Sequence, residues 1–345
     1  MARTFRLSIA PVSGVVSRRA AAVCAVLVPL VGLAFVLEIA TGDFPLPVAD
    51  AIAALTGTTD AATAFIVHSL RLPRALVGLL AGAAFGLSGA LFQALTRNPL
   101  ASPDIIGVTQ GAGLAAVAGI LLGVGGGLAL STVALIGGVT SAVAAYALAW
   151  RRGTTSYRIV LVGIGIAALC ASVTNYLLLK GNIYQTQQAL HWLVGNLSGR
   201  GWQHVRPLAV AVAVLVPLAL LLHRWLLDLQ LGDDVARGLG VPVQRARLGV
   251  LLAGVGLVAV ATAAAGPVGF VALTAPQIAR RLVRTPAPPL VAAALTGALL
   301  VLAADLVARE AIPGTELPVG VVTGALGGPY LLWLLARVNR VGSRG

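Results

Sequence analysis

Residues 71–96 read RLPRALVGLLAGAAFGLSGALFQALT, and the 22 residues from Ala75 to Thr96 carry no charge. A helix rises 1.5 Å per residue, so about 20 apolar residues cross the roughly 30 Å hydrocarbon core of a bilayer. We therefore predict a membrane-spanning helix over this stretch. Gly78, Gly82 and Gly86 recur every fourth residue, a spacing that forms a small-residue face which another helix can approach closely. Gly320, Gly324 and Gly328 repeat this spacing near the end of the chain, so we predict close helix packing there as well.

The remainder of the 345-residue chain has the same apolar character. Hydrophobic residues make up 58% of it and charged residues only 10%, against about 25% charged residues in soluble domains. The mean hydropathy is +0.95. So many apolar residues cannot share one aqueous core, which excludes a water-soluble enzyme and predicts an all-α, polytopic membrane protein.

Apolar runs of sufficient length predict ten membrane-spanning helices. The longest uncharged run, from Leu248 to Ala279, has 32 residues, which is too long for one span and too short for two straight ones. Arginines flank this run on both sides, so both of its ends should face the cytoplasm and the chain should turn back at Gly266-Pro267. The predicted spans are residues 20–40, 73–96, 105–124, 128–150, 158–179, 207–227, 248–265, 268–284, 288–308 and 318–337.

The distribution of basic residues predicts the orientation of these spans. With both termini in the cytoplasm, 18 of the 24 Lys and Arg residues fall on the cytoplasmic side, as the positive-inside rule expects. The net charge of +13 therefore indicates membrane topology and not binding to nucleic acid. Residues 1–19 and 338–345 are predicted to be a cytoplasmic arm and tail. The basic residues left on the outer side are Arg71, Arg74, Lys180, Arg200, Arg206 and Arg309.

Several chemical activities are excluded by the residues present. The single lysine, Lys180, has no preceding glycine-rich loop, so the chain has no P-loop and is not itself an ATPase. Cys24 and Cys170 lie in separate apolar runs and indicate neither a disulfide nor a nucleophile. The four histidines are scattered without acidic companions at ligand spacing, so no metal site is predicted. We expect no bound cofactor and no catalytic residues.

The RLPR motif places two cations where the helix itself gains nothing from them. Arg71 and Arg74 lie at the N-terminus of the predicted helix, next to the positive end of its dipole. We therefore expect an acidic group to pair with these two arginines. The residues alone leave three choices open, namely local Asp43, Asp50 or Asp60, lipid phosphates, or an acidic partner protein.

Residues 231–247, LGDDVARGLGVPVQRAR, form the longest polar stretch that faces the cytoplasm. Asp233 favours a helix start and Pro242 a second start, so we predict two short helices that are too polar to insert. Val235 and Leu239 share one helical face, which a purely solvated linker does not need. This pattern favours a docking surface for a soluble protein over a simple connection between spans.

Two further polar stretches have more ordinary interpretations. Residues 96–113 contain Asn-Pro and Ser-Pro-Asp turn signals and are predicted to be an interhelical turn. The outer stretch 181–204 suits a short interfacial helix, with Trp192 and Trp202 at the level of the lipid headgroups.

Ionisable residues are scarce within the predicted spans. Asp305 precedes Arg309 by four residues and is predicted to pair with it along one helix. The spans contain no succession of Asp, Glu or His, which argues against transport driven by an ion gradient.

Four blocks of sequence resemble, in order and spacing, the FecCD/BtuC-type permease subunits of bacterial importers for iron–siderophore complexes and vitamin B12. The similarity runs from about residue 65 to 337, and GDDVARGLGV and SPDIIG look most like a ferric-enterobactin permease subunit. The blocks are RLPRALVGLLAGAAFGLSGALFQALTRNPLASPDIIGVTQGAG, GDDVARGLGV, AGPVGFVALTAPQIARRLV and ELPVGVVTGALGGPYLLWLL.

The resemblance implies a single transmembrane permease domain of about ten helices with type II importer architecture, in a bacterial cytoplasmic (inner) membrane. It implies three kinds of partner: a second permease subunit, identical or paralogous, two cytoplasmic ABC ATPases that use ATP, and an extracytoplasmic siderophore-binding protein. The cargo would be a ferric siderophore, with vitamin B12 or haem as alternatives. An ion-coupled secondary transporter remains a rival class.

The resemblance also assigns roles to residues of this chain. Arg71, Arg74 and Arg309 would meet acidic residues of the binding protein. Thr154, Thr155 and Ser156 fall where related transporters close the pathway on the inner side. The residues implied to couple the permease to the ATPase, and to move with it, are Asp233, Asp234, Val235, Ala236, Arg237, Gly238, Leu239 and Gly240.

Overall fold

A computed structural model describes residues 4–9, 12–42, 44, 46–150, 156–312 and 314–342 of the chain. Within these residues, helices correspond to all ten predicted spans. They are α1 (Arg18–Ala40), α4 (Leu72–Thr96), α5 (Val108–Leu121), α6 (Leu128–Ala149), α7 (Ser156–Lys180), α9 (Trp202–Leu221), α12 (Val243–Ala265), α13 (Val271–Val283), α14 (Leu290–Glu310) and α15 (Val319–Gly342).

Shorter elements connect or precede these helices. Strands β1 (Thr4–Ile9) and β2 (Val12–Ser17) pair in antiparallel register before α1, an addition to the predicted all-α fold that lies within the predicted arm. A π-helical segment, Ile66–Arg71, joins the short helix α3 (Ala61–Phe65) to α4 without a break. The remaining short helices are α2 (Val48–Thr56), α8 (Ile183–Leu193), α10 (His223–Gln230) and α11 (Asp233–Gly238).

Not every predicted span is long enough to cross a bilayer by itself. Seven helices of the described chain have the required length and hydropathy, and one of them is the continuous helix from Ala61 to Thr96. Helices α5 and α13 have only 14 and 13 residues, so each covers about 20 Å of the membrane.

The bundle has two ends, which we name after the motifs they carry. The RLPR end holds Arg71 to Arg74, the end of α1 and the start of α15. The GDDV end holds Gly232 to Val235, the end of α4 and the start of α12. Helix α4 lies at the centre, with 78% of its apolar window buried, whereas only 22% of the corresponding window of α7 is buried.

Close glycine contacts join α4 to α14, as the sequence predicts. A Cβ atom added to Gly82 would lie 2.5 Å from the carbonyl oxygen of Gly297, and one added to Gly86 would clash with the backbone of Ala293. Glycine is therefore required at both positions, because any larger side chain would push the two backbones apart.

Helix α15 carries the same glycine spacing without the same packing. Gly320 lies against the carbonyl group of Val194, but a Cβ atom on Gly324 or Gly328 would meet no described atom within 4 Å. The predicted close-packed face is therefore wrong for these two glycines within this chain. Periodicity predicts a small-residue face, but it does not reveal whether a neighbour fills it.

The predicted reversal at Gly266-Pro267 is confirmed. Helix α12 ends at Ala265, Gly266 adopts a left-handed φ of +78°, and α13 begins at Val271. The carbonyl group of Ala265 accepts a hydrogen bond from the backbone N–H of Asn196, at 2.9 Å. This contact satisfies a helix-end carbonyl within the bundle.

The segment that follows α9 differs from its prediction in detail. Helix α9 ends at Leu221, six residues before the predicted end of that span, because the next turn forms the separate amphipathic helix α10. The predicted start at Pro242 is correct, but it opens the long helix α12 and not a second short one. The two short helices at the GDDV end are therefore α10 and α11.

Helix α7 packs closely against the turn before α5 at the GDDV end. A Cβ atom on Gly163 would lie 2.5 Å from the carbonyl oxygen of Ile105, in the 3-10 turn Pro103–Ile106. Further along the helix, Leu169, Val173 and Tyr176 are exposed. Helix α7 thus contacts the bundle closely near its start and presents an apolar surface beyond it.

We predict that Gly82→Leu destabilises the protein and that Gly324→Leu does not. The first leucine must separate α4 from α14, and overpacking of this kind costs about 1–3 kcal/mol. The leucine at position 324 enters open space, although Gly324 belongs to a glycine pattern of the same spacing. Melting temperatures of the two purified variants test this. Equal melting temperatures would show that the α4–α14 contact does not depend on glycine.

Candidate docking and coupling sites

Arg74 forms the centre of a charged cluster at the RLPR end. Its Nε and Nη2 atoms donate to the two carboxylate oxygens of Asp305 at 2.8 and 3.1 Å, and its Nη1 donates to Glu316 at 3.1 Å. The side chain of Asp305 is 1% exposed, whereas that of Glu316 is 44% exposed. Arg74 therefore bridges one buried and one accessible carboxylate.

Arg71 and Arg309 both bind the end of α1. Arg71 donates to the carbonyl oxygens of Ile39 and Phe44, at 2.8 and 2.5 Å. Arg309 forms an ion pair with Glu38 and donates to the carbonyl oxygen of Thr41 at 3.3 Å. Helix C-terminal carbonyls attract cations, so these guanidinium groups also complement the dipole of α1.

The cluster places three guanidinium groups beside three carboxylates, all within one chain. Glu38, Asp305 and Glu316 supply the acids, and the three arginines are all nearly buried. Asp50 and Asp60, two of the suggested local partners, make none of these contacts, and Asp43 lies outside the described residues. The acidic groups that pair with Arg74 therefore come from distant parts of the sequence, whereas Arg71 donates to backbone carbonyl oxygens near the end of α1.

The predicted pair between Asp305 and Arg309 is confirmed, but it is a secondary contact. Arg309 lies 3.7 Å from the carboxylate of Asp305, which is longer than the two bonds that Asp305 accepts from Arg74. The sequence patterns did not identify Glu38 and Glu316 as members of this charged cluster. Glu38 ends an apolar run and Glu316 precedes the last helix, so both carry a weak signal as isolated acids next to membrane spans.

Glu316 is the accessible member of the cluster. Partial burial alone would raise its pKa, but the charge of Arg74 and hydrogen bonds from Ser198 and Arg74 outweigh that effect and lower the pKa. The hydroxyl group of Ser198 donates to Glu316 at 2.9 Å. Glu316 therefore stays ionised at neutral pH and links the loop before α9 to α4.

The coupling segment Asp233–Gly240 has one anchored side and one exposed side. Asp233 accepts from the Nη2 atom of buried Arg247 at 2.9 Å, and Ala236 is completely buried. Val235 and Leu239 are 51% and 61% exposed. Helix α11 is thus fixed to α12 while its two apolar side chains point outward, as the sequence predicts for a docking surface.

The other residues of the coupling segment are polar or lack a side chain. Asp234 and Arg237 form an exposed ion pair at 2.7 Å, which contributes little to stability. Gly238 ends α11, and Gly240 adopts a left-handed φ of +81°. These glycines let the chain turn sharply from α11 into α12.

The predicted inner gate is only partly visible. Thr154 and Thr155 lie outside the described residues, and Ser156 is the first residue of α7. The neighbouring turn 97–107 is firmly held, because buried Gln277 donates to Gln93 at 2.5 Å and to the carbonyl group of Pro99 at 2.9 Å. Burial raises the pKa of Asp104, which accepts a hydrogen bond from Thr109.

The predicted interfacial helix is α8, but its two tryptophans differ. Trp202 is 39% exposed, and its indole N–H donates to the carbonyl group of His68 at 2.9 Å. Trp192 is instead buried against α5 and α6, so it packs within the bundle and is not exposed to the lipid headgroups. The described residues include no group of three metal-ligating side chains.

Closely packed apolar helices of membrane-spanning length, with charged side chains gathered at two opposite ends, define a multi-pass membrane protein. The chain belongs to the FecCD transport family, whose sequence model matches residues 30–337. It is a transport subunit, and the family and fold class predicted from the sequence are confirmed.

Curated relatives cover nearly the whole chain. The ferric enterobactin transport system permease protein FepG of Escherichia coli (strain K12) is 42% identical over 94% of this chain and 98% of its own length. The achromobactin transport system permease protein CbrC of Dickeya dadantii (strain 3937) is 39% identical over 89% of each chain. The vitamin B12 import system permease protein BtuC of Salmonella paratyphi A is 37% identical over 79% of this chain and 84% of its own.

Solved structures share the architecture. A metal-chelate type ABC transporter in an inward-facing conformation superimposes with a TM-score of 0.82 at 26% identity, covering 92% of this chain and 99% of the other. PsaBC from Streptococcus pneumoniae matches with a TM-score of 0.52 at 15% identity, covering 75% and 88% of the two chains, and so shares only the fold.

We predict that Arg74→Ala is far more destabilising than Glu316→Ala. The first change leaves Asp305 buried without its main partner, and breaking such a pair costs about 3–5 kcal/mol. The second removes an accessible carboxylate and leaves the buried pair intact. Thermal unfolding of both variants measures the difference.

The double variant Arg74→Ala with Asp305→Asn provides the control, because it removes the unpaired charge and should recover part of the lost stability. If the double variant melts below Arg74→Ala, the buried charge is not the cause of the destabilisation.

Proposed function

We propose that this chain is the permease subunit of an ATP-driven importer that carries ferric siderophore complexes across the bacterial cytoplasmic membrane. The anchored α11, with Val235 and Leu239 exposed outside the membrane-spanning helices, is the observation that carries the ATP-driven part of the proposal. The cargo is inferred from relatives whose names specify ferric enterobactin and achromobactin. Both termini would face the cytoplasm, in agreement with the excess of arginine at the GDDV end.

The chain would supply a passage and no chemistry, and it would need partners on both sides. Two ABC ATPases would use ATP beneath the GDDV end, and a siderophore-binding protein would deliver cargo at the RLPR end. A second permease subunit, identical or paralogous, would complete the pathway. ATP-driven closure of the ATPases would move α11, and through the Asp233–Arg247 pair that movement would reach α12.

Docking of the binding protein is assigned to Arg71, Arg74 and Arg309. Because all three have partners within the chain, a carboxylate from outside would have to compete for them. Glu316 is the partner that such a carboxylate would most readily replace, since it is half exposed and lies in a loop. Reversing the charge of the buried arginines would disturb folding, so Glu316 is the better place to test docking.

We predict that Val235→Asp combined with Leu239→Asp abolishes co-purification of the ATPase and ATP-dependent uptake. Both side chains are exposed, so the fold should persist while the apolar contact with the partner is lost. Leu122→Asp is the matched control, because Leu122 is 84% exposed at the opposite end. Normal uptake by the double variant would remove α11 from the mechanism.

The measurement uses proteoliposomes that contain the permease, its ATPase and a labelled ferric siderophore with its binding protein. Uptake should require ATP and survive dissipation of ion gradients. Uptake without an ATPase, driven by an ion gradient, would instead establish a secondary transporter. Labelled vitamin B12 and haem, with their own binding proteins, test the alternative cargoes.

We predict that Glu316→Gln tightens docking of the binding protein several-fold, because it frees one face of the Arg74 guanidinium for an acidic residue of the partner. Glu310→Gln is the matched control, since it removes one exposed negative charge at the same end without a bond to Arg74. Binding to permease in nanodiscs is measured by surface plasmon resonance. Equal effects of the two variants, or no effect of either, would contradict docking at Arg74.

A further inference from the structure

Arg200 differs from the arginines of the charged cluster. It precedes α9 at the RLPR end, is partly buried, and has no carboxylate within salt-bridge distance among the described residues. Its Nε atom donates to the carbonyl oxygen of Asn196 at 3.1 Å, and its Nη1 atom lies 3.3 Å from Nε2 of His204. Burial lowers the pKa of Arg200 to about 10.

His204 cannot fully satisfy this guanidinium group. The backbone N–H of Gly201 points to Nδ1 of His204 at 3.3 Å, so a neutral ring that accepts this bond carries its proton on Nε2. A protonated Nε2 cannot accept from Arg200. Among the residues that the structure describes, the cation is then left with one carbonyl oxygen as its acceptor, which is poor compensation for a partly buried charge.

An apolar groove begins beside the same histidine. It lies between α6, α9 and α12, has a volume of about 150 Å³, and is lined by His204 together with Leu128, Ser131, Leu135, Leu208 and Ala211. Ser131 is 92% buried, and its hydroxyl group has no hydrogen-bond partner among the described residues. The groove therefore combines an apolar lining with one unused hydroxyl group and adjoins an uncompensated cation.

We propose that this groove and Arg200 together form a phospholipid site. An acyl chain would occupy the groove, the lipid phosphate would bind the Arg200 guanidinium, and Ser131 would donate to a polar group near the top of the chain. Arg200 precedes the first turn of α9, next to half-exposed Trp202, which corresponds to headgroup depth. An acidic protein or free phosphate would match the cation but leave the apolar groove empty.

The net charge of the lipid should matter. A headgroup such as that of phosphatidylglycerol brings one negative charge to Arg200, whereas a choline headgroup adds a cation next to it. The site should therefore prefer phosphatidylglycerol over phosphatidylcholine.

Native mass spectrometry of the full-length chain, released from nanodiscs of equal phosphatidylglycerol and phosphatidylcholine content, tests the site. The protein should retain phosphatidylglycerol, and Arg200→Gln should reduce retention about tenfold, as expected for loss of a charge-assisted contact. Arg206→Gln is the matched control, because Arg206 is exposed on α9 and should leave retention unchanged. Equal retention by both variants would overturn the proposal.

A second pair of variants tests the groove itself. Ala211→Phe fills the groove and should also reduce retention, whereas Val214→Phe adds the same ring at an exposed position outside it. Inorganic phosphate at millimolar concentration should not displace the lipid. Displacement by phosphate, or undiminished retention by Ala211→Phe, would show that an anion alone binds Arg200 and that the groove takes no acyl chain.

Discussion

The buried ion pair between Arg74 and Asp305 is the contact on which the organisation of the bundle depends. It joins α4, the central helix, to α14, and the same two helices meet at Gly82 and Gly297, where their backbones approach too closely for any side chain. The ion pair and the close glycine packing therefore both hold α4 against α14 in the same position. A cation at the start of an apolar helix is costly unless an acid reaches it, and Asp305 reaches Arg74 only when α14 lies at this distance.

The two ends of the molecule handle charge in opposite ways. In the charged cluster at the RLPR end, Arg74 and Arg309 are largely buried and paired with carboxylates, and Glu316 is the accessible carboxylate among the described ion pairs. At the GDDV end, one buried pair anchors α11, and the apolar side chains beside it remain exposed. This difference fits the proposed roles. At the RLPR end, a carboxylate of the binding protein would replace one of this chain, and at the GDDV end, the exposed apolar side chains would insert into the ATPase.

Much of this architecture can be predicted from the sequence, because apolar length and arginine position act locally. All ten predicted spans contain helices, and the reversal at Gly266-Pro267 is correct. The shortness of α5 and α13 could not be predicted, because the apolar run of each begins in a turn packed inside the bundle, where Ile106 and Val268 are buried. The acids that bind Arg74 lie 231 and 242 residues away, so no local pattern reveals them. The glycines of α4 and α15 share one spacing, and only the fold distinguishes the packed face from the open one.

Helix α7 is embedded in the bundle much less deeply than α4. Apart from its contacts near Gly163 and the turn at Ile105, much of its surface is apolar and faces away from the rest of the chain. Either lipid tails or a neighbouring subunit could cover this surface without a change in the packing inside the chain. The molecule can thus change what surrounds α7 while the frame built on α4 and α14 keeps its shape.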